Sequence, residues 1–323
     1  MRALVCRELS EDFSRTRLEE VPTPVPGPGE VRVRIGAASL NFPDLLMLKG
    51  LYQHKPDLPF IPGMDFAGTV DALGEGVTGL SLGQRVAGGT RSGAFADYLT
   101  APARSLEPVP AAMSLAQAAS YPAAYSTAYV SLVCRARVEP GESVLVHGAS
   151  GGVGMAALDV GRILGARVLA TTGSPQKREA LLDYGAEAVF SAPGFRDGVR
   201  DLTGGEGVQV IYDPVGGDVF DESVRTIAFD GRLLVVGFAG GRIAEVRTNL
   251  PLIKAFSIMG VRAGEYGRKF PEKGRLVRET IWKWAAEGLT RPAVFAELSL
   301  DRWEEAFALM RDRGLVGKVV LVP

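Results

Sequence analysis

The sequence is poor in the side chains that bind metals or form cross-links. Only two cysteines, Cys6 and Cys134, and two histidines, His54 and His147, occur in 323 residues. The cysteines lie far apart and form no CxxC or comparable spacing, which excludes a zinc knuckle and a disulfide framework. They read as small core hydrophobes in a reducing compartment. An excess of either charge is also missing: Lys plus Arg number 36 and Asp plus Glu 37, so no basic surplus or stripe suggests nucleic acid. Apolar runs are broken by Gly, Pro or charge well before the ~20 residues of a membrane span. No basic stretch followed by an apolar one opens the chain, so the expected location is cytoplasmic. Repeats and low-complexity tracts are absent. With 46% apolar and 23% charged residues, the composition is that of a globular protein, and disordered or fibrous readings fail.

What is present falls into two rhythms. Through the first ~120 residues, an amount suited to one domain, short β-branched runs such as RALVCRE, EVRVRIGAASL, GTVDALG and QRVAGGT alternate with Pro and Gly clusters. This predicts a compact antiparallel barrel or sandwich. One helix interrupts it at NFPDLLMLKGLY, with Leu45, Leu48 and Leu51 spaced by three beside Pro43. From about Leu115 an Ala-rich helical stretch leads into strands that alternate with amphipathic helices: VLVHGA, RVLATTG, AEAVF, VQVIYD, RLLVVGF and SIMGV. These strands are continuous apolar runs, as a parallel sheet covered on both faces requires. Right-handed βαβ crossovers and a doubly wound sheet follow. The remaining pieces, GRLVRETIWKWAAEG, AVFAELSL, DRWEEAFALMRDRG and GKVVLVP, are too small for a domain and are expected to fold back onto the N-terminal unit.

The chemistry concentrates in VLVHGASGGVG, Val144 to Gly154. A buried strand, a glycine turn and a helix opening follow in direct succession. Glycine lets the backbone approach a pyrophosphate closely, and the N–H groups at the helix start meet its charge. After the second strand, an NAD-binding turn carries an acid for the ribose hydroxyls. Here Gly173-Ser174-Pro175-Gln176-Lys177-Arg178 stands instead. A small turn with Ser, Lys and Arg suits a 2′-phosphate, which points to NADPH.

Taken together, PGPGEVRVRIGAASLNFPDLLMLKGLY, GMDFAGTV, SGAFADYLT, PAAYSTAYVSL, GASGGVG, TTGSPQKRE, YDPVGG, LLVVGFAGG and GKVVLV resemble the NADPH:quinone oxidoreductases. These form a zinc-free, zeta-crystallin-like branch of the medium-chain dehydrogenase/reductase superfamily. The resemblance covers nearly the whole chain. It implies a Rossmann NADP(H)-binding domain at 122–260 and a split GroES-like catalytic domain formed by 1–121 and 261–323. Zinc-containing relatives carry Cys at Asn41 and His-Glu at Met64-Asp65, so no metal is expected. By family role, Asn41 and Tyr52 stand beside nicotinamide and substrate. Thr127 touches the cofactor. Gly151, Gly152, Val153, Gly173, Ser174, Lys177 and Arg178 hold the diphosphate and 2′-phosphate. Val215, Gly216, Phe238 and Ala239 line the ribose, and Lys318 lies near the cofactor. Some relatives carry a Tyr where Ala192 stands, so discrimination against NADH rests on Lys177 and Arg178.

Read alone, Asn41 is a turn residue and Tyr52 a boundary tyrosine; the resemblance gives them roles. Asp44 fits a first-turn capping acid, and a catalytic role stays open beside it. Asp65 is weighed for a basic partner near the site and is assigned none. His54 reads as a loop residue, His147 as a satisfied core histidine, and Trp282, Trp284 and Trp303 as packing. The implied activity is hydride transfer from NADPH to a quinone. Reduction of an enone or enoyl thioester, with the tyrosine of Gly50-Leu51-Tyr52 as proton donor, stays open beside it, as does a low-turnover NADPH-binding protein. GVRAGEY is expected to shape the substrate pocket. A homodimer through the last parallel strand, around Ser257 to Val261, is implied.

Overall fold

A computed structural model describes all residues, 1–323. The chain divides into two compact units, Met1–Ala123 with Pro292–Pro323, and Ala124–Arg291. The first unit contains β1 (Arg2–Cys6), β2 (Thr16–Glu20), β3 (Glu30–Ser39), α1 (Phe42–Leu48), β4 (Asp65–Leu73), β5 (Arg85–Gly89), β6 (Tyr98–Pro102), β7 (Leu106–Pro108) and α2 (Leu115–Ala119). The second begins within α3 (Pro122–Tyr129) and continues through β8 (Ser143–Val146), α4 (Gly152–Ile163), β9 (Arg167–Thr172), α5 (Arg178–Tyr184), β10 (Ala188–Ser191), α6 (Arg196–Leu202) and β11 (Val208–Asp213). It closes with α7 (Gly217–Thr226), β12 (Ile227–Val235), α8 (Asn249–Lys254), β13 (Ser257–Gly260), α9 (Ala263–Lys269) and α10 (Pro271–Ala286). The chain then returns to the first unit as β14 (Val294–Ser299), α11 (Trp303–Arg311) and β15 (Lys318–Val322). No helix is long and apolar enough to cross a membrane.

In the first unit the main sheet runs β14-β15-β3-β4-β5-β7, with β6 also on β3, while β1 and β2 pair separately. β3 is the organising strand. Val31, Val33 and Ile35 alternate into the core, as period-2 patterning requires. Its start pairs with β6 and its end, Ala38 and Ser39, with β15. The returning segment completes this core: Leu298, Leu300, Trp303, Phe307, Val319 and Leu321 join Leu4, Phe66 and Phe95. Phe307 meets Phe13 and Trp303 edge-on.

The second unit is an open parallel sheet, order β10-β9-β8-β11-β12-β13. The order reverses between β8 and β11, so their carboxyl ends flank the crevice where such sheets bind ligands. β8 is buried along its whole length, which is why its sequence shows no alternation. Residues 263–286, expected with the returning tail, fall in this unit instead. Their helices pack on each other through Gly267 and Gly274, and Trp284 meets Tyr129 of α3 at a tilt of 47°. An amphipathic helix announces that one face is covered and leaves open by which sheet. GVRAGEY becomes the start of α9, beside the segment following α3.

Candidate functional site

In the second unit three loops meet at the carboxyl ends of β8, β11 and β12. The turn after β8 enters α4 with Gly148 at φ +55° and Gly151 as N-cap. A Cβ on Gly154 would stand 2.5 Å from the Gly148 carbonyl oxygen and 2.7 Å from the Ala149 Cα. Only hydrogen fits there, so helix and turn close tightly and the first N–H groups of α4 are presented at the crevice. Across the reversal, Asp213 at the end of β11 accepts the N–H groups of Val215 (2.8 Å) and Gly216 (2.9 Å) on Oδ1. Burial pushes its carboxyl up, and these two hydrogen bonds oppose that. The third loop docks on the second: Ala239 N–H donates to Pro214 O at 3.0 Å, and Phe238 packs against Gly216. Val215, Gly216, Phe238 and Ala239 therefore form one structure. Asp213 was missed from sequence, although an Asp before Pro-Val-Gly-Gly carries the signal of a side-chain-capped turn.

The turn after β9 separates the two cations expected there. Lys177 is buried, 8% exposed, and its Nζ donates to Ser150 Oγ of the glycine turn at 3.3 Å. Burial pulls its ammonium below the usual lysine range. Arg178 turns the other way and donates to the Val189 carbonyl of β10 at 2.5 Å. Ser174 and Gly173 precede Lys177 on the same turn; the Ser174 hydroxyl donates to Gln176 Oε1. A hydroxyl, a buried ammonium and a helix N-terminus on glycine make a donor set for phosphate oxygens. Thr127 lies in α3, where its carbonyl accepts from Ser131.

Two buried polar groups of this unit are structural. His147, at the end of β8, has Nε2 2.8 Å from Ser223 Oγ and Nδ1 2.9 Å from Thr171 Oγ1. Ser223 already donates its proton to Val219 O, so it accepts from Nε2–H, and Thr171 donates to Nδ1. Full burial pulls this imidazole down to about 3, and it is neutral. Asp159, in an otherwise apolar face of α4, takes hydrogen bonds from Tyr125 (2.6 Å), Tyr184 (2.9 Å) and the N–H of Arg291 (2.7 Å).

In the first unit the ends of three strands bring a second group together. Ser39 of β3 lies opposite Asp65, the first residue of β4, and opposite Val320 of β15. That register sets Asn41, Asp65 and Lys318 side by side. Lys318 Nζ donates to Asn41 Oδ1 at 2.8 Å and lies 3.4 Å from Asp65 Oδ2. Asn41 Nδ2 donates to the same Asp65 oxygen at 3.1 Å and to Ser39 O at 3.4 Å. A lysine only donates, so the amide orientation follows from its partner. Asp44 is wholly buried and accepts the Asn41 N–H at 2.8 Å, capping α1 as the sequence suggested. Burial pushes its carboxyl up to about 7, and the Asn41 N–H opposes that. Burial likewise pushes the Asp65 carboxyl up and the Lys318 ammonium down, and their mutual attraction opposes both shifts. Nothing near Asp65 in the sequence names its partner, Lys318, which stands 253 residues away. Tyr52, just beyond α1, is half-buried against the core of this unit.

This group does not suit zinc. Asn, Met and Asp stand at the positions concerned, an ammonium is already bound between two of them, and no group of three His, Cys, Asp or Glu side chains is arranged to hold a metal ion.

Comparison with known proteins gives matches over the whole length. Residues 27–111 match the family model described as alcohol dehydrogenase GroES-like domain, and residues 152–279 the one described as zinc-binding dehydrogenase. Asn41, Met64 and Asp65 thus lie outside the segment that carries the zinc-binding description. The chain is 40% identical over 323 residues to quinone oxidoreductase-like protein 2 of Mus musculus, covering 99% of this chain and 91% of that one. A mycobacterial protein solved in complex with NADPH superposes with TM-score 0.91 at 32% identity, covering 100% of both chains. The CurK enoyl reductase superposes with TM-score 0.89 at 25% identity, covering 99% of both.

Proposed function

Because the chain belongs to the quinone oxidoreductase-like family of the medium-chain dehydrogenase/reductase superfamily, we propose that it is an NADPH-dependent, zinc-independent reductase of quinones. The observation that carries this reading is the donor set at the carboxyl edge of the parallel sheet, with Lys177 buried against Ser150 of the glycine turn. Gly151, Gly152 and Val153 would hold the diphosphate at the start of α4, and Ser174 and Lys177 the 2′-phosphate, with Arg178 at its margin. The loops of Val215, Gly216, Phe238 and Ala239 would line the riboses, and Thr127 would add a contact. Bound NADPH supplies a hydride; the chain must hold the acceptor and stabilise the negative charge that forms on its oxygen. In the first unit Asn41 orients that acceptor and Tyr52 offers it a hydrogen bond. Free Cys6 and Cys134 accord with a cytoplasmic setting, and a homodimer through β13 belongs to the same reading.

One observation favours a second reading, reduction of an enone or enoyl thioester: the likeness to an enoyl reductase, together with the Gly50-Leu51-Tyr52 context. A steady-state screen decides between them. NADPH and NADH are tested against 1,4-naphthoquinone, 9,10-phenanthrenequinone, simple enones, and acryloyl and crotonyl thioesters. Turnover with NADPH on the quinones alone is the expected result. Turnover confined to the enones or thioesters selects the second reading. Tight NADPH binding without oxidation by any of them leaves a binding protein.

A further inference from the structure

We propose that Lys318 is the cation of the substrate site: its ammonium donates a hydrogen bond to the acceptor's carbonyl oxygen, and Asp65 is the positioning residue that holds it. The inference rests on the reductase reading above and changes the assignment of two residues within it.

The available N–H hydrogens distinguish Asn41 from Lys318. The Asn41 amide has two N–H hydrogens, and its Nδ2 faces Asp65 Oδ2 and Ser39 O. Its oxygen accepts from Lys318. Asn41 therefore has no donor left for an oxygen that is becoming negative. Lys318 has three N–H hydrogens, of which two meet Asn41 Oδ1 and Asp65 Oδ2; the third is available. It is also the only positively charged group in the cluster, which otherwise holds an amide and two carboxylates. A fixed ammonium in a largely water-excluded site, 6% exposed at its side chain, stabilises a developing oxyanion far more than the same group in water.

Asp65 makes this possible in two ways. Its carboxylate compensates the buried charge, which would otherwise be lost to desolvation. It also grips both the ammonium and the Asn41 amide, leaving the lysine one orientation. Lys318 keeps its proton throughout; it gives a hydrogen bond, and no bond to nitrogen breaks. The ammonium thus does the electrostatic work for which zinc-dependent enzymes use the metal, at a place where these residues cannot ligate one.

The test is spectroscopic. 4-Nitrophenol is a flat aromatic acid that ionises near neutral pH and whose anion absorbs visible light, so the pKa of its oxygen, bound where the acceptor's carbonyl oxygen would stand, can be read directly in the folded, NADP⁺-loaded protein. A cation at the oxygen should lower that pKa by about one to three pH units relative to the free acid. Lys318→Met should abolish the shift, Asp65→Asn should shrink it, and Lys318→Arg should restore part of it. NADPH affinity, measured by fluorescence titration, should change less than threefold on the order of ordinary mutational scatter. Removing one member of a buried ion pair can prevent folding, so the double variant Lys318→Met, Asp65→Asn serves as the neutral control. It should fold, bind NADPH and show no shift. A shift that persists without Lys318 overturns the proposal, as does an equal loss of NADPH affinity, which would place Lys318 at the cofactor. An absence of turnover by the wild type alone counts against the reductase reading, because the acid's shift does not depend on turnover.

Discussion

At the scale of single residues, two neighbours of like charge have unlike tasks. Lys177 reaches back to the glycine turn through Ser150, whereas Arg178 is engaged with the carbonyl of Val189. Lys177→Glu should therefore weaken NADPH more than NADH. The excess should be about 2 kcal/mol, roughly thirtyfold, the worth of one charge-assisted hydrogen bond. Calorimetric titration with both nucleotides measures it, and equal losses would remove Lys177 from the 2′-phosphate. The pattern GSPQKR predicted both cations from composition; which one faced the turn depended on where the short helical turn Pro175–Lys177 ended and α5 began.

At the scale of elements, the entry into α4 is the tightest joint of the cofactor site. Gly154→Ala would drive a Cβ into the backbone of Gly148 and Ala149, atoms that cannot rotate away. Helix and turn would have to separate, at a cost of about 1–3 kcal/mol of stability and with a marked fall in NADPH affinity. Denaturant unfolding and nucleotide titration check the two effects separately; unchanged affinity would show that the turn is not the phosphate cradle. Asp213 shows the limit of reading elements from sequence. Its turn was legible as DPVGG, but its carboxylate's role as acceptor for two N–H groups appears only once the loop has closed.

Global stability carries the signature of the buried imidazole. His147 is pulled from 6.5 down to about 3 in the folded chain, so the unfolded state binds more protons between those values. Its contribution is present above pH 6.5 and is lost as pH falls toward 3. The slope approaches about 1.4 kcal/mol per pH unit. Urea midpoints at pH 7.5, 6 and 5 should fall more steeply for the wild type than for His147→Gln; parallel slopes would mean the ring is not buried in the neutral form. Assembly is also a property of the whole molecule. β13 ends the parallel sheet with half-exposed Ile258 and Met259, and an uncovered edge strand invites pairing. Sedimentation should show a dimer for the wild type and a monomer for Met259→Glu. A monomeric wild type would remove the edge from the proposed assembly.

The order of strands and helices, the glycine turn and the absence of an acid after β9 were legible along the chain. These are local signals: the period of apolar residues, and turns that only certain residues can make. Asp44 was also readable as a helix cap, since the capped N–H lies three residues away. The closed fold supplied the rest. It assigned residues 263–286 to the second unit, because a helix's apolar face does not name its partner. It joined Asn41 and Lys318 across 277 residues through the register of β3, β4 and β15. The state of a buried polar group depends on what stands within about 3 Å of it, and for groups this far apart in the chain only the closed sheet supplies that neighbour.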